Sequence, residues 1–175
     1  EKRPETGWGE MLQAWFPDGD VLVVNHGRNG RSTRTFISEG RWDALLSAVS
    51  PGDWVFVQFG HNDQAQSKPE RYAPPEVFMA NLQRFVTDVR GREATPVLLT
   101  PVVRRRFDEN GSFYDSHGIY PDLVREVARD TGTDLIDLQA SSTGPVCACS
   151  ASIWRTRSSS LAGRVNSCLR IRLLS

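Results

Sequence analysis

An open, doubly wound α/β sheet with mainly parallel strands is the fold this sequence predicts, on three observations. Short apolar runs rich in β-branched residues alternate with amphipathic stretches of helical period, and that alternation builds parallel βαβ units with helices on both faces of one sheet. Several of these runs open into polar, Gly- or Pro-bearing segments, as strands do where they leave a sheet. The 175 residues are 39% hydrophobic with five Trp and eight Phe, which suffices for the core of one such domain.

Trp8, Met11, Leu12, Trp15 and Phe16 follow the spacing of one helix face and predict a first helix. Val21 to Val24 is a buried strand that opens into the polar loop Asn25-His26-Gly27-Arg28-Asn29-Gly30. Trp42, Leu45, Leu46 and Val49 repeat the helical spacing until Ser50-Pro51-Gly52 stops it, and Trp54 to Phe59 is the next strand. Pro74-Pro75 open a helix carrying Val77, Phe78, Leu82, Phe85, Val86 and Val89 on one side, since proline suits a first helical position whose N–H would be unpaired anyway. Pro96 to Thr100 is a third strand, Ile119 to Ala128 a further helix, and Leu135 to Leu138 a fourth strand.

The formal charge of zero conceals a division. Residues 1–144 carry 16 basic and 21 acidic side chains, net −5, whereas 145–175 carry five Arg and no acidic residue, net +5. All three cysteines (Cys147, Cys149, Cys168) also lie in the tail. We therefore expect a domain over 1–144 and an atypical tail over 145–175. Three cysteines with one Cys-x-Cys make a poor zinc site, because closed structural sites use four ligands. The acidic balance of 1–144 denies nucleic acid the basic footprint it needs, and no run reaches the roughly 18 apolar residues of a membrane span. The chain opens on Glu1-Lys2-Arg3, without a Met or a secretory-type start, so compartment and oligomeric state stay open.

In open parallel sheets the ligand sits at the carboxyl ends of the strands. That directs attention to Asn29-Gly30-Arg31-Ser32-Thr33 after the first strand and Gly60-His61-Asn62-Asp63 after the second. The first segment resembles the second conserved block of the SGNH (GDSL-type) hydrolases, and the second is similar to their third block, Gly-x-Asn-Asp. Arg3-Pro4-Glu5-Thr6-Gly7-Trp8-Gly9, Tyr120-Pro121 and Ile136-Asp137-Leu138 resemble the rhamnogalacturonan acetylesterase branch, so the likeness spans about residues 3–142. It implies a flavodoxin-like sheet and a serine that attacks an ester carbonyl, with Gly30 and Asn62 as two oxyanion-hole donors. The residue types suit that role: glycine lets backbone approach a substrate, and an Asn amide offers N–H donors without charge. Taken singly, Gly30 is a turn glycine and Asn62-Asp63 a turn or helix cap; their order and shared sheet edge favour the site.

Other residues are set aside. His61 is the variable position of its block and reads as a hydrogen-bonded loop histidine. His117 has Asp115 beside it, but that spacing is not the family's Asp-x-x-His, and Gly118-Ile119-Tyr120 reads as the start of a helix. Ser32 lies in no Gly-x-Ser-x-Gly elbow and reads as a hydrogen-bonding loop residue. Arg104-Arg105-Arg106 could meet a polyanion such as the galacturonate-bearing backbone of pectin, or be a solvated loop.

The resemblance also implies two blocks that these 175 residues do not contain: Gly-Asp-Ser, which supplies the nucleophile, and Asp-x-x-His, which supplies the base. By resemblance the first block ends a strand lying between the two strands that begin at Val21 and Trp54, so those neighbours are expected to be left with unpaired backbone groups. The tail from about 145 has no clear helical period; we expect a frameshifted or misjoined end that packs poorly. The resulting expectation is a serine esterase that removes acetyl groups from a carbohydrate, here as an inactive fragment, with no metal or organic cofactor. Its rivals are a catalytically dead binding protein on the same scaffold and an esterase or lipase of other specificity.

Overall fold

The computed structural model describes residues 8–16, 19–104, 106–110, 114–143 and 169–174. Five parallel strands form one sheet in the order β1-β5-β2-β3-β4: β1 Val21–Asn25, β2 Trp54–Gln58, β3 Thr95–Leu99, β4 Asp134–Ile136 and β5 Leu169–Leu174. The helices are α1 Trp8–Met11, continued by a 3-10 turn over Leu12–Trp15, α2 Thr33–Ser38, α3 Arg41–Ala48, α4 Pro75–Arg90, α5 Tyr120–Thr131 and α6 Leu138–Thr143.

Side chains alternate across the strands, so each strand feeds two cores. Val55 and Val57 of β2, Leu98 of β3 and Leu174 of β5 join Phe36, Trp42, Phe78, Leu82 and Phe85 on one face. Phe56, Val97, Leu99, Ile171 and Leu173 join Leu12 on the other, with Trp8, Phe16 and Leu138 packed against them. The doubly wound parallel arrangement is the expected one, down to the α4 start at Pro75.

Several local expectations are corrected. The first helical stretch buries Leu12 but leaves Met11 and Trp15 57% and 65% exposed, so its apolar stripe is only partly used. Val77 of α4 is also exposed. Strand β4 stops at Ile136, because Asp137 accepts the Ala140 N–H and Leu138 already begins α6. Helix α2 was not expected: the Ser32 hydroxyl accepts the Thr35 N–H while Thr35 Oγ1 accepts the Ser32 N–H, a reciprocal cap at the helix start.

The largest correction concerns the gap between β1 and β2. It is filled by Leu169–Leu174, paired in parallel with both neighbours and buried over its last four residues. The expectation of poor packing from about residue 145 onward therefore fails for this segment. Arg172 points into the apolar side, where its Nε donates to Asp53 Oδ2 at 2.7 Å with both side chains more than nine-tenths buried. Cys147, Cys149 and Cys168 lie outside the described residues.

Candidate active site

The loops that follow β1, β2 and β3 meet at the carboxyl edge of the sheet. Gly30 turns the first of them in a left-handed conformation, φ +79°, which side-chain-bearing residues rarely adopt. Asp63 ties this loop to the second. Its Oδ1 accepts the Thr33 N–H at 2.8 Å and the Thr33 hydroxyl at 2.6 Å, and its Oδ2 accepts the Gly60 N–H at 3.1 Å. Burial pushes the Asp63 carboxyl up to about 6, against the opposing pull of those donors.

That tie brings Gly30 and Asn62 together. Asn62 Nδ2 donates to the Arg31 carbonyl at 2.9 Å, one residue from Gly30. An amide nitrogen carries two hydrogens, so one N–H of Asn62 stays available. Among the described residues the Gly30 N–H has no acceptor. Two uncommitted donors at one sheet edge can hold a developing oxyanion.

The same edge holds a cavity of about 520 Å³ lined by His61, Asn62, Lys68, Arg71, Arg104 and Arg106 among others. Arg71 pairs with Glu70 and reaches Asn62. Among the described residues no carboxylate pairs with Lys68, Arg104 or Arg106. Arg104 Nη2 donates instead to the His61 carbonyl at 2.7 Å. Burial and the nearby Arg106 lower the Arg104 pKa, against the opposing pull of the Asp115 carboxylate. Of the expected basic run, Arg104 and Arg106 thus face this cavity; Arg105 lies outside the described residues.

Two residues that the sequence reading set aside also converge here. His117 is fully buried, and its Nδ1 lies 2.6 Å from Asp115 Oδ1. Its Nε2 lies 2.7 Å from Nδ1 of His61, with the two rings edge to face at 4.7 Å between centroids. The available signal was positional, since both histidines occupy loops leaving strand carboxyl ends. Ser32 is a helix cap, consistent with its assignment as a hydrogen-bonding loop residue. Among the described residues, no three His, Cys, Asp or Glu side chains gather as metal ligands, and no helix is long and apolar enough to cross a membrane.

Residues 1–160 match the GDSL-like lipase/acylhydrolase family. Rhamnogalacturonan acetylesterase RhgT of Bacillus subtilis (strain 168) is 42% identical over 137 residues, covering 78% of this chain and 57% of that protein. The probable rhamnogalacturonan acetylesterase YesY of the same organism is 39% identical over 137 residues, covering 78% and 62%. The chain therefore spans roughly 57% to 62% of these curated relatives. Among solved structures, protein YxiM from Bacillus subtilis superposes with a TM-score of 0.69 at 27% identity, over 79% of this chain and 39% of that one. A variant of an acetyl xylan esterase from Geobacillus stearothermophilus gives a TM-score of 0.57 at 24% identity, over 79% and 70%, a likeness of fold.

Proposed function

Because the chain belongs to the GDSL-like lipase/acylhydrolase family, we propose that the complete protein is a serine esterase removing acetyl groups from a carbohydrate, with acetylated pectic rhamnogalacturonan as the substrate. The observation that carries this reading is the convergence of the free Gly30 N–H and the Asn62 amide beside a cavity lined by unpaired cations. An acetyl carbonyl would sit on the two donors while the carboxylates of an acidic sugar backbone meet Lys68, Arg104 and Arg106.

In the reaction so read, a serine oxygen adds to the acetyl carbonyl carbon and its proton passes to a histidine. Gly30 N–H and Asn62 Nδ2–H hold the oxyanion. Collapse expels the sugar oxygen, which takes up the proton, and water then releases acetate by the same steps. The family's Gly-Asp-Ser and Asp-x-x-His blocks would supply serine and base, and the 175 residues contain neither. No metal or organic cofactor is required.

A second reading, a binding protein on the same scaffold, is favoured by one observation: β5 occupies the sheet position expected for the nucleophile strand. Deacetylation assays on a complete protein carrying these loops decide between the two. Release of acetate from acetylated rhamnogalacturonan, with less from neutral acetylated xylan and none after serine phosphonylation, supports the esterase. Binding of the polysaccharide with no release supports the scaffold.

A further inference from the structure

The polarity of the Asp115–His117–His61 chain follows from chemistry. An ionised carboxylate only accepts hydrogen bonds. Asp115 Oδ1 takes both the backbone N–H of His117 at 3.0 Å and its ring Nδ1 at 2.6 Å, and Gln139 Nε2 donates to Oδ2. His117 Nδ1 therefore carries the hydrogen, and the neutral ring presents its Nε2 as an acceptor. The 2.7 Å contact to His61 Nδ1 then requires that Nδ1 be the donor. His61 Nε2 is left with a lone pair, and among the described residues nothing donates to it. Burial lowers both histidine pKa values, and nearby Arg104 adds to the effect, so both rings stay neutral near pH 7.

His61 lines the cationic cavity. Ser116, between Asp115 and His117, lines it too, and among the described residues its buried hydroxyl has no partner. A cavity that combines unpaired cations, a fixed lone pair and an unused hydroxyl suits a ligand carrying both negative charge and hydroxyl groups.

We propose that Asp115, His117 and His61 form a hydrogen-bond chain of fixed polarity that holds the His61 Nε2 lone pair in the cationic cavity, where it accepts a sugar hydroxyl. This rests on reading the cavity as a site for an acidic carbohydrate. His61 is the binding residue; His117 and Asp115 position it. A ring that holds its proton only below about pH 4 is a weak proton acceptor near neutrality. Its contribution is therefore to binding and orientation, felt as a rise of about 5- to 20-fold in KM when it is lost, with kcat changed less.

Long-range proton–nitrogen spectra of the 175-residue chain labelled at histidine nitrogen test the polarity directly. His61 should show a protonated Nδ1 and a bare Nε2; a protonated Nε2 overturns the proposal without any variant. Asp115→Ala removes the acceptor that holds the hydrogen on His117 Nδ1, so neither ring is then fixed and a proton should appear on His61 Nε2 in part of the population. Unchanged tautomers in that variant would show that Asp115 does not set the polarity, and would also overturn it. Galacturonate and acetate then separate the layers. Galacturonate should bind several-fold more weakly to Asp115→Ala, while acetate, a carboxylate without hydroxyls, should bind both alike. Equal galacturonate binding overturns the hydroxyl contact but leaves the acidic-carbohydrate reading standing; no galacturonate binding to either protein removes both.

Discussion

Arg71 Nη1 donates to Asn62 Oδ1 at 3.0 Å, and the same atom lies 3.7 Å from where a side chain at Gly30 would begin. One guanidinium therefore holds the Asn62 amide and lies alongside the Gly30 backbone. By occupying the amide oxygen it fixes which way the Asn62 group faces and draws electron density from its N–H bonds, making them better donors.

In a complete protein carrying these residues, Asn62→Ala should lower kcat by about 10²–10³ with little change in KM, as removal of one oxyanion donor does. Arg71→Met should give a smaller loss, about 10-fold, also mainly in kcat because the donor remains but is no longer held. Steady-state kinetics on an aryl acetate reads both. An unchanged kcat for Asn62→Ala would return that residue to a turn role.

The 175-residue chain itself should release no more product from an aryl acetate than a buffer blank, having neither Gly-Asp-Ser nor Asp-x-x-His. Turnover abolished by an organophosphate would reveal a nucleophile elsewhere in the chain.

Breaking the buried Arg172–Asp53 pair should be costly. Arg172→Met strands the Asp53 carboxylate away from water, and urea unfolding should show a loss of about 3–5 kcal/mol. Adding Asp53→Asn in the same chain should recover much of it, because no unpaired charge is then buried. A neutral effect of Arg172→Met would mean that β5 is not held in the sheet as described.

Acid should act through His61. Burial first, then the charges of His117 and Arg104, hold its pKa down to about 4 against a usual 6.5. Between these values the unfolded chain binds a proton that the folded one refuses, so the stabilisation is complete above 6.5 and lost as pH falls toward 4. At 1.36 kcal/mol per unit this is about 3 kcal/mol. Asp63 acts in the opposite sense: raised to about 6 from 3.8, it adds stability as pH falls through 6. The difference in unfolding free energy between the protein and His61→Gln isolates the first effect and should shrink as pH drops from 6.5 to 4. A constant difference would place the His61 pKa near its ordinary value.

The sequence revealed what is written in local pattern. Helix α4 was legible because two prolines precede a long apolar face, and β2 and β3 because they are continuous runs buried on both sides. Gly30 and Asn62 were legible as parts of motifs at strand ends. Helix α2 was not, since its six residues contain only Phe36 and Ile37 as large apolar side chains and its start depends on the Ser32–Thr35 cap. Strand β5 escaped because Arg170 and Arg172 interrupt it, and a buried arginine is tolerable only with Asp53, far away in sequence, as its partner. The histidine pair escaped for the same reason: His61 and His117 are 56 residues apart, and only the folded loop beyond β3 makes them neighbours.

The place of β5 in the sheet also sets an order of events during synthesis. It follows every other described strand in sequence yet lies between β1 and β2. Among the described strands, β2, β3 and β4 can pair with one another as they emerge, whereas β1 pairs only with Leu169–Leu174. Until that segment emerges, the open sides of β1 and β2 are templates for strands of other chains. The sheet closes through contacts between segments more than a hundred residues apart, which form slowly because a long loop must close first. Shortening the wait by faster elongation, or shielding β1 through it with a chaperone, should raise the yield of folded protein.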